Sequence, residues 1–600
     1  MCCIAMALRG ASLEKTYGDS NKNFSVRALD EKIVIRWPSF SKEVFSCVNV
    51  EITDGENIVQ TANYPLHVTE TFFTAGEHGK RYWIHVNAIR ADGSEGQPGE
   101  SFTKRTIFLD YDRFPDLPLM VINTDSGEDP PYTYLEPQDG QVGAAVTSND
   151  YLRADMLLKG DEDVPSGSYG LRIRVRGNSS AIYNYKVGYK IHLDEAAALL
   201  GDGDIKTDEW VLLNNGNRIV TWVSDDVGDL CGMEWQPHMQ YVNVLLNGDW
   251  KGCFALTPAV DIKNAGEYVD NSGYIFEADA YWWNYDGAWF RTENQDPMMG
   301  FTFKYPRMTD EEDPRLLQLK EYMQEFENYL IEGDERYRDY IDELSFARWI
   351  LARDVLGTAD GAGSNLYYYK ESFDPEDPTG EKVKMGPLWD HDRVFETLGT
   401  WSHCRNEDVS YFYLLFGQPS FAELYKEEWK RVSASLMPEI RSLLAKLKDT
   451  KGEALDLSWQ IEENRWEEEI PSLEEQCAQV ESWFANRIIW MNNELGIAAP
   501  ENTSLDASGY TIIKSGLAGE IEESSRSEDA YTLQGWIRPE TYENGMRAGF
   551  LSGSRLYFAN MEEIRDSEGQ YPLLQYKICL SPDADGTVCL VDPYEYKIYR

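Results

Sequence analysis

Apolar and polar residues alternate in short runs along the first part of the chain. Lys32–Trp37, Val44–Thr53, His67–Phe73 and Tyr82–Arg90 have period-two patterning, with turn pairs at Asp54-Gly55 and Asp92-Gly93. Strands of that length and spacing predict a small all-β sandwich over residues 25–110, after an N-terminal segment of 1–24. A Pro/Asp-rich stretch, Asp110–Pro118, reads as a linker. Alternation resumes in Leu119–Asn123, Ala154–Leu158, Gly170–Arg176, Tyr185–Leu193, Trp210–Asn214, Tyr241–Leu246 and Trp250–Leu256. These runs predict a mostly antiparallel sheet, interrupted by a helix near Ile219–Leu230.

From Asp313 the period lengthens to three and four. Leu316–Leu330, Ser345–Leu356, Phe421–Leu447 and Leu473–Leu495 read as helices. The last has Ser472 and Glu475 as a capping box and Gly496 as its stop. Inside this helical region two strand-like runs, Leu366–Lys370 and Lys382–Trp389, flank a Pro/Asp/Gly turn and predict a hairpin. After Ser504 the pattern returns to β, at Tyr510–Ile513, Tyr531–Ile537, Arg555–Phe558, Leu574–Leu580 and Thr587–Leu590. The expected organisation is therefore α+β and multi-domain: a sandwich over 25–110, a sheet-then-helix unit over 119–496, and a β-rich unit over 504–600.

Charge removes some function classes. Asp and Glu total 103 against 56 Lys and Arg, a formal charge of −47. Nucleic-acid binding needs basic surface, so it is excluded as the main activity. No run of 18 apolar residues is present, so no transmembrane helix is expected. The opening MCCIAMALRG is apolar but short and lacks a basic n-region. Both ends read as cut from a longer protein. The nine cysteines show no CxxC or zinc spacing, although Cys579 and Cys589 flank a turn and could pair across a hairpin.

The chemistry concentrates between Asp360 and Asp392. Asp360 and Asn365 have D-x4-N spacing, and Asp390 and Asp392 lie in Trp-Asp-His-Asp at the far end of the predicted hairpin. Protein kinases use the same order: a base Asp, an Asn five residues on, a hairpin, then a metal-binding Asp. Mg²⁺ needs hard oxygen ligands, which Asn365, Asp390 and Asp392 can supply, while Asp360 takes the proton of an attacking hydroxyl. Arg174 and Arg176 share a strand face, either as a phosphate clamp or as pairs for acidic groups. Glu277, in Gly-Tyr-Ile-Phe-Glu-Ala-Asp, is a candidate partner for an active-site lysine. The aromatic cluster Tyr281–Tyr285 with Trp289 suits core packing or a glycan surface.

Five stretches in order carry a family resemblance: Arg174-Val-Arg-Gly-Asn-Ser-Ser180, Tyr189–Leu193, Glu209–Leu213, Val244–Gly248 and Gly386–Asp392. Their sequence and spacing over about Leu119 to Leu495 resemble the CotH kinase family. Residues 25–110 resemble a fibronectin type III domain, through Trp37 and Tyr82-x-Ile-x-Val-x-Ala. The CotH resemblance implies an atypical two-lobed protein-kinase-like fold and transfer of phosphate from ATP to Ser or Thr of a protein substrate. It implies Mg²⁺ or Mn²⁺, and an extracellular, cell-surface or spore-surface location. It makes Asp360 catalytic, Asn365, Asp390 and Asp392 metal ligands, and Lys190, Arg174, Arg176, Asn178 and Glu277 nucleotide-binding. The pattern departs from the family at Ala181 and Pro258. The alternative is a catalytically inactive surface adhesion or structural protein whose β domains bind a surface or carbohydrate partner.

Overall fold

The computed structural model describes residues 24–497 apart from 30, 95–99, 114–116, 136–144, 148–149, 178–180, 182–185, 202–204, 215–217, 359–364, 390–392 and 405–410; beyond 511 it describes only the backbone of a set of strands.

Seven strands build the first unit: β1 Ser25–Leu29, β2 Lys32–Arg36, β3 Phe45–Thr53, β4 Ile58–Tyr64, β5 Glu70–Phe73, β6 Arg81–Arg90 and β7 Ser101–Ile107. They form two sheets, β1-β2-β5 and β4-β3-β6-β7. The alternation dictates the stacking, because Val26, Ile33, Ile35, Val48, Val50, Ile52, Ile84 and Val86 all turn into the shared core. Three strands, β1, β4 and β7, lie outside the predicted runs. β4 exposes Ile58 and Val59 beside Thr61 and Asn63, and β7 ends the second sheet.

The second unit continues with β8 Leu119–Thr124, β9 Thr133–Leu135, β10 Ala145–Thr147, β11 Leu152–Lys159, β12 Gly167–Arg176, β13 Gly188–Ala197, β14 Thr207–Leu213, β15 Gln240–Leu246 and β16 Asp249–Pro258. The expected mostly antiparallel sheet is present and closes into a barrel, in the order β11-β12-β13-β14-β16-β15-β8. A parallel pairing of β15 with β8 closes it. Closure leaves no free edge and encloses Ile173, Val175, Ile191, Trp210, Phe254 and their neighbours.

A four-stranded sheet, β18-β17-β19-β20, follows from β17 Tyr274–Asp279, β18 Gly300–Tyr305, β19 Leu366–Lys370 and β20 Val383–Met385. The predicted hairpin exists as β19 and β20. It is the edge of this larger sheet, and its second strand is shorter than Lys382–Trp389, stopping before Gly386-Pro387.

Eight helices complete the described fold: α1 Ile219–Cys231, α2 Ile262–Ala265, α3 Pro314–Glu332, α4 Glu343–Leu356, α5 Phe412–Phe416, α6 Pro419–Ser433, α7 Leu436–Trp466 and α8 Leu473–Glu494. α4 starts earlier than Ser345, because Asp342 caps it by accepting from the Ser345 amide at 3.0 Å. The single helix expected over Phe421–Leu447 is two. Pro438 cannot sit in a helix interior, so the chain breaks at Ala434–Ser435 and restarts with Pro438 in the first turn of α7. The Ser472–Glu475 capping box is present.

The units are joined by contacts on both sides of the 110–118 stretch. Ala28, Ile107 and Leu109 of the sandwich pack with Leu119, Leu245 and Trp250 of the barrel and Ile461 of α7. Glu467, capping α7, pairs with Arg105 at 2.6 Å and with Arg81. A fully buried cluster ties the barrel to α7: Glu462 takes Lys186 at 2.8 Å, Arg218 at 2.7 Å and the Cys253 amide at 2.8 Å. In the C-terminal strands Cys579 pairs in register with Thr532 and Cys589 with Gly549. The two cysteines lie in different sheets, so the expected hairpin between them is not formed.

Candidate active site

Two faces meet at the site. One is the outside of β12 and β13. Leu171, Ile173 and Val175 turn into the barrel, so Arg172, Arg174 and Arg176 turn outward. Tyr189 and Ile191 turn inward, so Lys190 turns outward beside Arg174, its cross-strand partner. Neighbouring cations repel, and each is steadied differently. Lys190 pairs with Glu209 on β14, and Arg174 lies over the Tyr151 ring at 5.1 Å. Burial pushes the Lys190 ammonium below the usual lysine range; Glu209 opposes this, while Arg174 and Lys304 add to it.

The other face belongs to β17, β18 and β19. Glu277 and Asp279 are two apart on β17, opposite Thr302 and Gly300 of β18, and Lys304 lies two residues beyond Thr302, where the register shifts. The Glu277 carboxylate is bound from two sides: Lys304 Nζ lies 2.9 Å from Oε2, and the Asn365 backbone N–H donates to Oε1 at 3.0 Å. Asn365 has a left-handed backbone, φ 62°, which the Glu277 bond holds in place. Although burial alone lowers the Lys304 ammonium, Glu277, Tyr367 and Asp279 outweigh it and hold this group above the usual lysine range. Asp279 accepts from the Tyr281 amide at 2.7 Å and from the Thr302 hydroxyl at 3.4 Å. Burial first, then Glu277, push its carboxyl up to about 7.

The two faces act on each other. Lys304 contributes to the Lys190 shift, and Arg176 opposes the upward shift of the buried Tyr367 phenol. Of the predicted residues, Arg174 and Lys190 are cross-strand neighbours, the Asn365 amide is bonded to Glu277, and Arg176, with the unpredicted Lys304, links the two faces electrostatically. Asn178, Asp360, Asp390 and Asp392 lie outside the described residues.

The described residues on either side of those acids are firmly held. α4 ends at Gly357 in the left-handed region, φ 60°, with a side-chain position filled by Trp483. One turn back, the buried Asp354 accepts from the Tyr425 hydroxyl at 2.7 Å and pairs with His403 Nδ1 at 2.5 Å. Arg487 ties Asp354 O to Thr397 O and Leu398 O. Near Asp390, the Leu388 amide donates to Gln236 at 3.0 Å. Both candidate acid segments therefore leave from anchored backbone.

Two sequence expectations need correction. Glu277 does not pair with Lys190: Lys190 finds Glu209 on its neighbouring strand, and Glu277 finds Lys304 one step along β18. Alternation along Tyr185–Leu193 puts Lys186 on the same face as Lys190, and the structure does not: Lys186 is buried against Glu462. Lys304 and Asp279 were missed altogether, although Gly300–Tyr305 alternates Phe301 and Phe303 with Thr302 and Lys304.

The donor set suits a polyphosphate with a hard cation. Cations line one side, and on the other the Asn365 carboxamide has no hydrogen-bond partner among the described residues. Among those residues no group of three or more His, Cys, Asp or Glu is arranged to hold a metal. No described helix is long and apolar enough to cross a membrane.

A family model described as CotH kinase protein matches residues 173–491, from β12 into α8. No curated protein matches the chain. Among solved structures the chain is similar to the "Twitchin kinase region from C.elegans (Fn31-NL-kin-CRD-Ig26)", at 9% identity over 96% of this chain and 99% of that one. The TM-score is 0.15, too low to bear on the fold.

Proposed function

The chain belongs to the CotH kinase protein family, whose model matches more than half of it, and from that premise we propose that it transfers the γ-phosphoryl group of ATP to Ser or Thr of a protein acceptor. The observation that carries this reading is Glu277, which holds both Lys304 and the backbone of Asn365. One carboxylate thereby sets a phosphate-facing ammonium and a metal-facing carboxamide relative to each other.

In this reading the barrel and the β17–β20 sheet with its helices are the two lobes of a kinase-like domain. Lys190, Lys304, Arg174 and Arg176 neutralise the phosphates, and Asn178 follows them in the turn after β12. Asn365 and Asp390, with Asp392 close in sequence, hold Mg²⁺ or Mn²⁺. The ion, when bound, neutralises charge on the phosphate oxygens. Asp360 accepts the proton of the attacking hydroxyl and orients it. The two-sheet order of the N-terminal strands supports a fibronectin type III-like module. Such a module suits a protein at a cell or spore surface.

A second reading, a surface-binding protein without catalysis, is favoured by one observation. Ile58 and Phe72 stand 59% and 58% exposed on the sandwich. Two substitutions separate the readings. Asp390→Asn removes a metal ligand and should abolish thermal stabilisation by ATP with Mg²⁺. Asp360→Asn should keep it and lose transfer by about 10²–10⁴-fold. Absence of any ATP-dependent shift in the wild type, with either metal, favours the second reading.

A further inference from the structure

We propose that the groove between the outer face of β1–β2 and the β15–β16 turn is a docking site for an acidic segment of a partner protein, with one carboxylate seated against Arg27. The proposal stands whether or not the chain is a kinase, because it uses none of the residues assigned to phosphoryl transfer.

Strand register builds the face. Val26, Ile33 and Ile35 turn into the sandwich core, so Ser25, Arg27 and Leu29 of β1 and Lys32, Val34 and Arg36 of β2 turn outward. Arg27 lies opposite Val34, Ser25 opposite Arg36 and Leu29 opposite Lys32. β5 extends two of these rows, with Phe72 opposite Val34 and Glu70 opposite Arg36. The barrel covers part of the face. Its Asn247-Gly248 turn packs on Leu29 so closely that Gly248 has no room for a side chain there. Beside that contact a cavity of about 140 Å³ remains, between Arg27, Val34 and Arg36 on one side and Asn123 and the turn on the other.

The cavity offers donors without a carboxylate in its lining. Arg27 donates to the Gly127 carbonyl and has no carboxylate partner among the described residues. The side chains of Ser25 and Asn123, which also line the cavity, make no hydrogen bond to a described residue. Arg36 bonds Glu70 through Nε, and its side chain is 57% exposed, so the cavity is reached from solvent beside it. Lys32, one row along from Arg27, is exposed and makes no ion pair with a described residue. Within β1, β2 and β5, Glu70 is the one acid against three bases, Arg27, Lys32 and Arg36. In a chain with 103 acidic residues and 56 basic ones, this face is locally positive.

Charge complementarity therefore selects an acid as the occupant. Guanidinium groups hold carboxylates through paired, charge-assisted hydrogen bonds. The volume suffices for a side-chain carboxylate, since a water's share of the liquid is about 30 Å³. Phe72 stands exposed beside Val34 and offers a surface to an apolar residue of the same segment. A peptide segment uses all of these groups, whereas a free anion in the cavity leaves Lys32 and Phe72 unused.

The measurement is fluorescence polarisation of a labelled peptide of about ten residues, Glu throughout with one central Leu, titrated with the full chain. Wild type should bind it, less tightly as salt is raised, and should not bind the same peptide with Gln for Glu. Arg27→Ala should weaken binding by about tenfold or more, and Lys32→Glu should weaken it too. Arg27 also bonds Gly127, so circular dichroism checks that the variant is folded. Asn123→Glu, at an exposed position, is the second test: it sets a carboxylate in the cavity and should weaken binding by about tenfold or more. Excess ATP with Mg²⁺ should leave the peptide bound. No binding by wild type, equal binding of the Gln peptide, or unchanged affinity in folded Arg27→Ala and Asn123→Glu overturns the proposal. Displacement by ATP with Mg²⁺ also overturns it, because the peptide would then sit on the cations around Lys190 and Lys304.

Discussion

Replacing Glu462 with Ala should cost most of the fold's stability. Its side chain is 0% exposed and accepts from Lys186, Arg218 and the Cys253 amide, all within 2.9 Å. Alanine takes the shared carboxylate away from two buried cations and one buried amide. Breaking a buried ion pair from one side costs about 3–5 kcal/mol. A stranded amide adds about 1–3 kcal/mol. The expected loss is about 4–8 kcal/mol, against a total of about 5–15 kcal/mol for a typical domain. At roughly 2–4 °C per kcal/mol in a large domain, the melting temperature should fall by at least about 8 °C. The assay is urea unfolding followed by tryptophan fluorescence, with a thermal melt beside it. If Glu462→Ala does not fold, the triple variant Lys186→Met, Arg218→Met, Glu462→Met should still fold, because removing every charge removes the mismatch. A Glu462→Ala loss under about 1 kcal/mol, the range of an exposed pair, would mean that the cluster contributes no more than a surface ion pair. Lys186 lies just before β13, so the same defect should disturb the strand that carries Lys190.

Other consequences are smaller. Gly357→Ala puts a Cβ 2.3 Å from the Trp483 ring at a left-handed residue and should cost about 2–4 kcal/mol by chemical denaturation; a change under about 0.5 kcal/mol would contradict it. Burial raises the Asp354 carboxyl, but His403, Arg487 and Tyr425 outweigh it and hold the group below its usual range. Its contribution is therefore present above about pH 4 and lost as pH falls through the lower folded value, so wild type should lose more stability than Asp354→Asn between pH 5 and pH 3. Asp279 has the opposite sign. With its folded carboxyl pushed up to about 7, stability should fall as pH rises from about 4 to about 7 and level off above, a slope that Asp279→Asn should flatten in urea titrations.

Local patterning made much of the fold legible. Period-two runs located β2, β6 and β12, and period-three-and-four runs located α3 and α8 with its cap. What it could not show are pairings between distant residues. The parallel β15–β8 pair that closes the barrel joins Asn243 to Leu119, and no local signal marks it. β4 was missed because Ile58 and Val59 are exposed while its less exposed positions, Gln60, Ala62 and Tyr64, form no apolar alternation. The outward face shared by Arg174, Arg176 and Lys190 was legible from strand alternation. Lys304 was not, because its claim on Glu277 exists only once β17 and β18 are paired. The Lys186–Glu462 bond spans 276 positions and is likewise invisible in sequence.

Phosphoryl transfer by the residues around Lys190, Lys304, Glu277 and Asn365 can be followed with γ-labelled ATP. The full chain is incubated with labelled ATP and Mg²⁺ or Mn²⁺, alone and with an added protein acceptor, and the labelled residues are identified by mass spectrometry. Wild type should place label on Ser or Thr, while folded Lys304→Met and Asp360→Asn should lose it by about 10²-fold or more. Contradiction would be a wild type that transfers no label with either metal, or a Lys304→Met variant that transfers it at the wild-type rate.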